Sequence, residues 1–325
     1  MIDEITLTNF KAFASLELEK LKRVNLIVGE NNAGKTSLLE AIYLLCNPQE
    51  AGKLHGLFRA PQGDPNSRYY RWLLRDDAGG DQCSLRWAGD QAETIVELTK
   101  SSSPMTQRSS AEGHPLQPIQ TSFTNVVWVW PIKRGAVLSC RTVSVRQREP
   151  SDLVGLVGKA QKKKNGEETL EALLAKVDPR ITKVRLDPGL DSEEGNQVII
   201  DIGLSELVPV SQIGEGVYRL IAIVADMIGE NPDVLLIDEV ENGIHHSVHK
   251  QIWTGLAEVA ETLDVQIFAT THSAECLEAA NDAFAERGAY DFSVIQLFRV
   301  ADGIQGRVLD REHIQAALES NIDLR

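Results

Sequence analysis

A glycine-rich segment near the amino terminus ends in a lysine and a hydroxyl side chain. Gly29 and Gly34 are followed by Lys35 and Thr36, which gives the pattern GxxxxGKT. Two glycines let the backbone wrap a phosphate chain, the lysine reaches its β- and γ-phosphates, and the threonine hydroxyl ligates Mg²⁺. The pattern predicts binding of ATP and Mg²⁺ by the loop residues Gly29, Glu30, Asn31, Asn32, Ala33, Gly34, Lys35, Thr36 and Ser37.

Two adjacent carboxylates, Asp238 and Glu239, follow the apolar run DVLLI later in the chain. A strand end with two acids is weak evidence alone, because carboxylates commonly begin loops. Beside a phosphate loop, however, Asp238 would hold the Mg²⁺ shell and Glu239 would polarise the water that attacks the γ-phosphate. The pair therefore predicts ATP hydrolysis rather than transfer of the phosphoryl group to another substrate, with Lys35 and Glu239 as catalytic residues.

Buried elements must position these side chains. The apolar run 24–28 predicts a strand and residues 38–45 predict a helix that is apolar nearly all round, so the glycine loop joins a strand to a helix. The segment 233–237 is continuously apolar after its first residue, Asp233, which indicates a strand buried on both faces, and a nearly all-apolar helix is predicted for 217–228 just before it.

Two weaker motifs accompany these elements. Ser211, Gly214, Glu215 and Gly216 form SxxGEG before the helix at 217–228, and His272 follows the apolar run QIFAT. Taken separately, SxxGEG could be a helix N-cap with a turn, and a histidine at a strand end is often structural.

The order of the motifs along the chain resembles that of ABC-type ATPases: glycine loop, SxxGEG signature, strand ending in DE, the D-loop position ENGIH, then the histidine. The resemblance implies an α/β P-loop NTPase with a mixed central sheet flanked by helices, an antiparallel β subdomain and a small helical insertion. It implies that two protomers stack head to tail on ATP. Ser211, Gly214, Glu215 and Gly216 of one chain would then cap the γ-phosphate bound by the other, and His272 would be the catalytic switch histidine.

The chain also resembles the SMC, RecF and OLD group, most of all the small OLD-like AAA ATPases of bacterial phage-defence modules. The resemblance is carried by the start ITLTNFKAF, the loop asparagines and the segments DEVENGIHH and IFATTHSAECLEAA. This resemblance covers residues 1–46 and 200–325, and it implies that Lys11 lies near the ribose and base.

The sequence between the glycine loop and the signature contains no sustained heptads, so SMC-type arms are not expected. OLD nucleases add a Toprim domain, and too little chain follows His272 for one. We therefore expect an ATPase subunit that controls a separate effector, a nuclease or toxin, in antiphage defence or DNA transactions.

The expected organisation is one ATPase domain that is split in sequence. Residues 1–46 would form a lobe with the phosphate loop, 47–150 a β-rich insertion, 151–200 a small helical lobe and strands, and 201–325 the lobe with signature, DE strand and histidine. Within the middle, 151–177 predicts two helices broken at 162–166, and 101–118 predicts a mobile loop. Gln147 is the best placed Mg²⁺-sensing glutamine, although it matches poorly.

Composition narrows the class of protein. The chain has 325 residues, 42% of them hydrophobic and 25% charged, and a formal net charge of −14. These values predict a globular protein and argue against broad, charge-driven coating of nucleic acid, although a local DNA contact stays open. Four cysteines without a CxxC pair, no membrane-length apolar run and no secretory signal predict a cytoplasmic protein without a membrane partner. The alternatives are a transporter ATPase subunit and a nucleotide-switched scaffold with negligible hydrolysis.

Overall fold

The computed structural model describes residues 1–57, 73, 82–90, 92–101, 119–120, 126–134, 138–143, 150–189, 196–213, 215–301, 303–320 and 322–324. The strands are β1 (Glu4–Phe10), β2 (Phe13–Glu19), β3 (Val24–Val28), β4 (Gln82–Gly89), β5 (Ala92–Ser101), β6 (Ile119–Gln120), β7 (Val126–Arg134), β8 (Cys140–Val143), β9 (Lys183–Asp187), β10 (Gln197–Asp201), β11 (Val208–Pro209), β12 (Val234–Ile237), β13 (Gln266–Thr270), β14 (Phe292–Val300) and β15 (Gly303–Leu309). The helices are α1 (Lys35–Cys46), α2 (Leu54–Leu57), α3 (Pro150–Gln161), α4 (Gly166–Val177), α5 (Glu215–Glu230), α6 (His249–Thr262), α7 (Ala274–Ala285) and α8 (Arg311–Glu319).

A mixed sheet of order β15-β14-β3-β13-β12-β8 forms the centre of the fold. Strands β14, β3, β13, β12 and β8 are parallel, and β15 is antiparallel to β14. Every residue of β3, β12 and β13 is buried, which explains their predominantly apolar sequences. The buried polar residues Asn25, Gln266 and Thr270 are hydrogen-bonded. Because these three strands are parallel, the segments that follow them emerge at one edge of the sheet, where ligands bind in open α/β folds.

A second sheet, of order β2-β1-β4-β5-β7-β6, is antiparallel throughout. Helix α1 contributes to a core that includes Leu7, Leu85 and Val96 from this sheet and Leu236 and Phe268 from the central one. Packing against both sheets buries α1 all round, as its apolar sequence predicts. The phosphate-loop helix thereby joins the two sheets.

A helical lobe precedes the signature segment. Helices α3 and α4 pack with α5, and the small antiparallel sheet β11-β10-β9 lies beside them. The predicted pair of helices in 151–177 is confirmed. Asn165 breaks them with a φ of +59°, and the lysines at 162–164 between them are exposed.

The two large sheets do not follow the expected division of the sequence, because each takes strands from more than one segment. Residues 1–46 contribute to both sheets, and β8, which lies within 47–150, extends the central sheet beside β12. The expected mobile loop at 101–118, apart from residue 101, and Gln147 lie outside the described residues. Within the described ranges, no helix has the length and apolar character that crossing a membrane requires.

Candidate functional site

The glycine loop follows β3 and contains two positions that require glycine. Gly29 has a φ of +148°, and a Cβ there would lie 2.4 Å from the carbonyl oxygen of Leu297 on β14. Gly34 has a φ of +88°, and its Cβ would lie 2.9 Å from the Phe13 ring. Helix α1 begins at Lys35 without a side-chain cap at its amino terminus. The first-turn N–H groups of α1 are therefore suited to bind an anion.

Replacing Gly29 by alanine is expected to lower the free energy of unfolding by about 3 kcal/mol or more, because the added Cβ meets backbone and the positive φ strains any other residue. Chemical denaturation measures the change. The control is Gly155→Ala in α3, where a Cβ has no atom within 4 Å, and it should stabilise by roughly 0.5–1 kcal/mol. Equal stability of Gly29→Ala and wild type would contradict the packing of the loop against β14.

Lys35 is buried at the start of α1, with 5% of its surface exposed. Its Nζ donates to the carbonyl oxygens of Gly29 at 2.5 Å and Glu30 at 3.0 Å. Burial lowers the pKa of the Lys35 ammonium, and the carboxylates of Glu241, Asp238 and Glu239 oppose that shift. The structure therefore brings Lys35 into the field of three carboxylates.

The two predicted carboxylates follow β12, beside the end of β13. Thr270 Oγ1 donates to Asp238 Oδ1 at 2.8 Å and accepts the N–H of Glu239 at 2.8 Å. Burial raises the pKa of the Asp238 carboxyl, while the Thr270 hydrogen bond lowers it. Glu239 adopts a φ of +50°, and Asn242 Nδ2 donates to its Oε2 at 3.3 Å. The two adjacent carboxylates therefore have different hydrogen-bond donors, Thr270 for Asp238 and Asn242 for Glu239.

The residues expected to bind Mg²⁺ fit that ion. Thr36 supplies a hydroxyl in the first turn of α1, and Asp238 supplies a buried carboxylate at the same edge of the central sheet. Mg²⁺ prefers such hard oxygen ligands and is usually bound by one or two carboxylates together with substrate phosphates and waters.

His272 follows the central strand β13. The N–H of Thr271 donates to the Ile27 carbonyl of β3 at 3.1 Å, which fixes this strand end beside the glycine loop. The main-chain N–H of His272 donates to Glu241 Oε1 at 2.7 Å, and the His272 side chain is exposed. The histidine thus lies at the same sheet edge as the glycine loop and the carboxylates.

The signature segment lies around the start of α5. Ser211 is exposed in a short 3-10 turn, and Glu215 begins the helix, two residues earlier than predicted. A Cβ on Gly216 would lie 3.4 Å from the Gly243 carbonyl oxygen. Gly214 lies outside the described residues. The first turn of α5 therefore packs against the turn that follows Glu239.

Lys11 lies between β1 and β2 with a φ of +49°. Its ammonium forms an ion pair with the fully buried Glu40 of α1. This contact joins the antiparallel sheet to the phosphate-loop helix, and the implied contact of Lys11 with ribose and base stays a prediction. In the loop itself, Asn31 and Asn32 are exposed, and Arg299 Nη2 donates to the Asn32 carbonyl at 3.3 Å.

The sequence did not identify Arg219 or Thr270 as site residues, and it placed Glu241 at the D-loop position without predicting its contact. Arg219 is buried in α5 and donates to the carbonyl oxygens of Asp238 at 2.7 Å and Asn242 at 2.9 Å. Thr270 Oγ1 joins the Asp238 carboxylate to the main-chain N–H of Glu239, and Glu241 accepts the main-chain N–H of His272. The available signal for Arg219 was that it is one of two charged residues, with Asp226, in the otherwise mostly apolar segment 217–228, because a buried arginine requires acceptors.

Replacing Arg219 by methionine is expected to lower the free energy of unfolding by about 2–4 kcal/mol, because two buried carbonyls lose a charged donor. Denaturant titration measures the change. The matched variant Arg180→Met removes an arginine whose side chain is 71% exposed and paired with Asp178, and it should cost less than about 1 kcal/mol. Similar losses in the two variants would show that Arg219 does not fasten α5 to the Asp238 turn.

Two solved structures share the fold. A crystal structure of an SMC head bound to the C-winged helix domain of ScpA superposes with a TM-score of 0.59 at 11% identity, covering 96% of this chain and 98% of that chain. An SMC head with an extended coiled coil, in a complex derived from Pyrococcus furiosus, gives a TM-score of 0.56 at 10% identity and 99% coverage of both chains. These similarities confirm the predicted P-loop ATPase head fold.

One curated relative aligns along most of the chain, and another aligns along a short segment. A Helicobacter pylori protein named ATP/GTP phosphatase is 23% identical over 336 aligned positions, which cover 88% of this chain and 89% of the relative. The DNA replication and repair protein RecF of Bacillus thuringiensis is 52% identical over 44 residues, 14% of this chain and 12% of RecF.

Two family models cover most of the sequence. Residues 1–100 match the family described as AAA ATPase domain, and residues 97–278 match the family described as AAA domain, putative AbiEii toxin, Type IV TA system. The second match includes the middle of the chain, where motifs gave little information. Since it spans more than half of the 325 residues, the chain belongs to this second family of AAA domains.

Proposed function

We propose that this chain is an Mg²⁺-dependent ABC-type ATPase. The observation that carries the proposal is the convergence of three strand-end segments at one sheet edge: the glycine loop after β3, Asp238 and Glu239 after β12, and His272 after β13. The relative named ATP/GTP phosphatase, which aligns along most of the chain, supports hydrolysis of a nucleoside triphosphate.

Each residue then has a defined role. The amino terminus of α1 and Lys35 would bind the phosphates. Thr36 and Asp238 would hold Mg²⁺, which when bound would neutralise negative charge on the phosphates. Glu239 polarises the attacking water. Thr270 holds the main chain of Glu239 in position, and Asn242 donates to the Glu239 carboxylate. His272 contacts the γ-phosphate from the neighbouring strand end.

We further propose that ATP joins two copies of the chain head to tail. The exposed position of Ser211 and the start of α5 beside the turn at 243–244 support this arrangement. The signature of one copy would then complete the γ-phosphate site of the other. Arg219 joins α5 to the carbonyl of Asp238. A movement of α5 on closure of the dimer would therefore also move Asp238 and Glu239 of the same chain.

The biological role that we propose is control of a separate effector in antiphage defence or in DNA transactions, as in the OLD-like group, in the cytoplasm. The family description mentions a putative toxin of a type IV toxin–antitoxin system, and the RecF relatives are named for DNA replication and repair. Both similar SMC heads are bound to a domain of another protein, ScpA. Each of these supports a nucleotide-controlled interaction with a protein or DNA partner.

Release of inorganic phosphate by the purified chain tests the enzymatic part. ATP and GTP are compared, each with Mg²⁺ and with EDTA, and duplex DNA is added in a further series. Phosphate release that requires Mg²⁺ supports the proposal, and stimulation by DNA supports a DNA partner. Nucleotide binding without any phosphate release, with or without DNA, would instead support a nucleotide-switched scaffold.

A further inference from the structure

Glu241 joins the turn after the site carboxylates to the strand end that carries His272. Its Oε1 accepts the main-chain N–H of His272 at 2.7 Å. The turn itself is closed by the N–H groups of Asn242 and Ile244, which donate to the carbonyls of Glu239 and Glu241 at 3.0 Å each. The Glu241 side chain therefore restrains the main chain at the switch histidine relative to the hydrolytic glutamate.

The other carboxylate oxygen of Glu241, Oε2, is buried and accepts no hydrogen bond within the described part of the chain. A buried charged oxygen without a donor is unfavourable unless an opposite charge is close. Lys35 provides that charge, since Glu241 opposes the burial-driven fall of the Lys35 pKa more strongly than the other carboxylates do. The two side chains attract one another across the site without a hydrogen bond from Lys35 to Oε2.

Lys35 is also the residue that binds the terminal phosphate in the proposed function. Glu241 and that phosphate have charge of the same sign and act on the same ammonium, so they repel one another. ATP places more negative charge near Lys35 than ADP does. The Glu241 charge must therefore weaken ATP binding more than ADP binding.

We propose that Glu241 is a positioning residue with two separable effects. Its hydrogen bond fixes the main chain of His272 for hydrolysis, and its charge sets the preference of the site between triphosphate and diphosphate. This inference rests on the proposed ATPase function. The turn at 241–244 packs against Gly216 of the signature helix. Through the charge of Glu241, this turn would interact directly with the terminal phosphate.

Two substitutions separate the effects. Glu241→Gln keeps an oxygen that accepts the His272 N–H but removes the charge, whereas Glu241→Ala removes both. ATP and ADP affinities are measured by calorimetry in EDTA, so that no metal contributes. In Glu241→Gln we expect ATP to bind about tenfold tighter and ADP to change less than about threefold, because the charge acts mainly on the terminal phosphate.

Turnover with Mg²⁺ supplies the second measurement. The kcat of Glu241→Gln should stay within about threefold of wild type, while that of Glu241→Ala should fall about 30-fold or more, because the strand end loses its restraint. Glu278→Gln, an exposed glutamate on α7, is the matched control and should change neither affinity nor kcat.

The outcomes distinguish this inference from the proposed function. If wild type binds both nucleotides and Glu241→Gln has the same ratio of ATP to ADP affinity, the charge effect is wrong. If Glu241→Ala and Glu241→Gln have equal kcat, the positioning effect is wrong. A wild-type chain that binds neither nucleotide overturns the proposed function and this inference with it.

Discussion

Lys35→Ala is expected to reduce ATP affinity by about 100-fold or more, because it removes the ammonium that, in the proposed function, pairs with the β- and γ-phosphates. The fold holds this lysine in position, since it is buried at the start of α1 and two loop carbonyls orient its Nζ. Burial lowers the pKa of the Lys35 ammonium, and the carboxylates of Glu241, Asp238 and Glu239 oppose that shift. Calorimetric titration with ATP measures the loss.

The control for this substitution is Lys250→Ala, which removes a lysine on α6 whose partner is Glu286. That surface ion pair contributes less than about 1 kcal/mol to stability, and ATP affinity should be unchanged. Thermal melting of both variants verifies that each is folded. A folded Lys35→Ala that binds ATP like wild type would refute the assignment of the glycine loop.

Glu239→Gln is expected to keep ATP binding and to lower phosphate release by a factor on the order of 100 to 10,000, the usual contribution of a general base. Glutamine retains the shape of the side chain and an oxygen for the Asn242 amide, and the main-chain N–H of residue 239 still donates to Thr270. What glutamine lacks is the negative charge that, in the proposed function, polarises the attacking water. Turnover and binding are measured on the same preparation.

The same variant tests assembly. Trapped ATP should hold two copies together, so the light-scattering mass of Glu239→Gln is expected to rise from one chain of 35.8 kDa to two on addition of Mg-ATP. Glu230→Gln, at the surface beside Lys159, is the control and should hydrolyse ATP like wild type. Equal turnover by Glu239→Gln and wild type would exclude Glu239 as the base, and an unchanged monomer mass would count against the ATP-dependent dimer.

Local sequence was sufficient for the elements that carry the site. Predominantly apolar runs predicted β3, β12 and β13, and the all-round apolar segment after the glycine loop predicted α1, because burial on both faces favours apolar side chains at most positions. The break between α3 and α4 was also readable from its lysines, asparagine and glycine. Residues in contact across the fold gave weaker patterns. Nothing near Thr270 in sequence indicates that its hydroxyl bridges Asp238 and Glu239.

The sequence by itself determined the chemistry: a glycine loop with lysine and threonine, two carboxylates after a buried strand, and their order along the chain. The tertiary structure decided which groups surround Lys35, because parallel pairing of β12, β13 and β3 brings distant strand ends to one edge. It also decided the roles open to Arg219 and Glu241. The hydrogen bonds that Arg219 makes to Asp238 and Asn242, and that Glu241 makes to His272, are to backbone groups. Every residue has such groups, so no residue pattern could predict these contacts before the chain was folded.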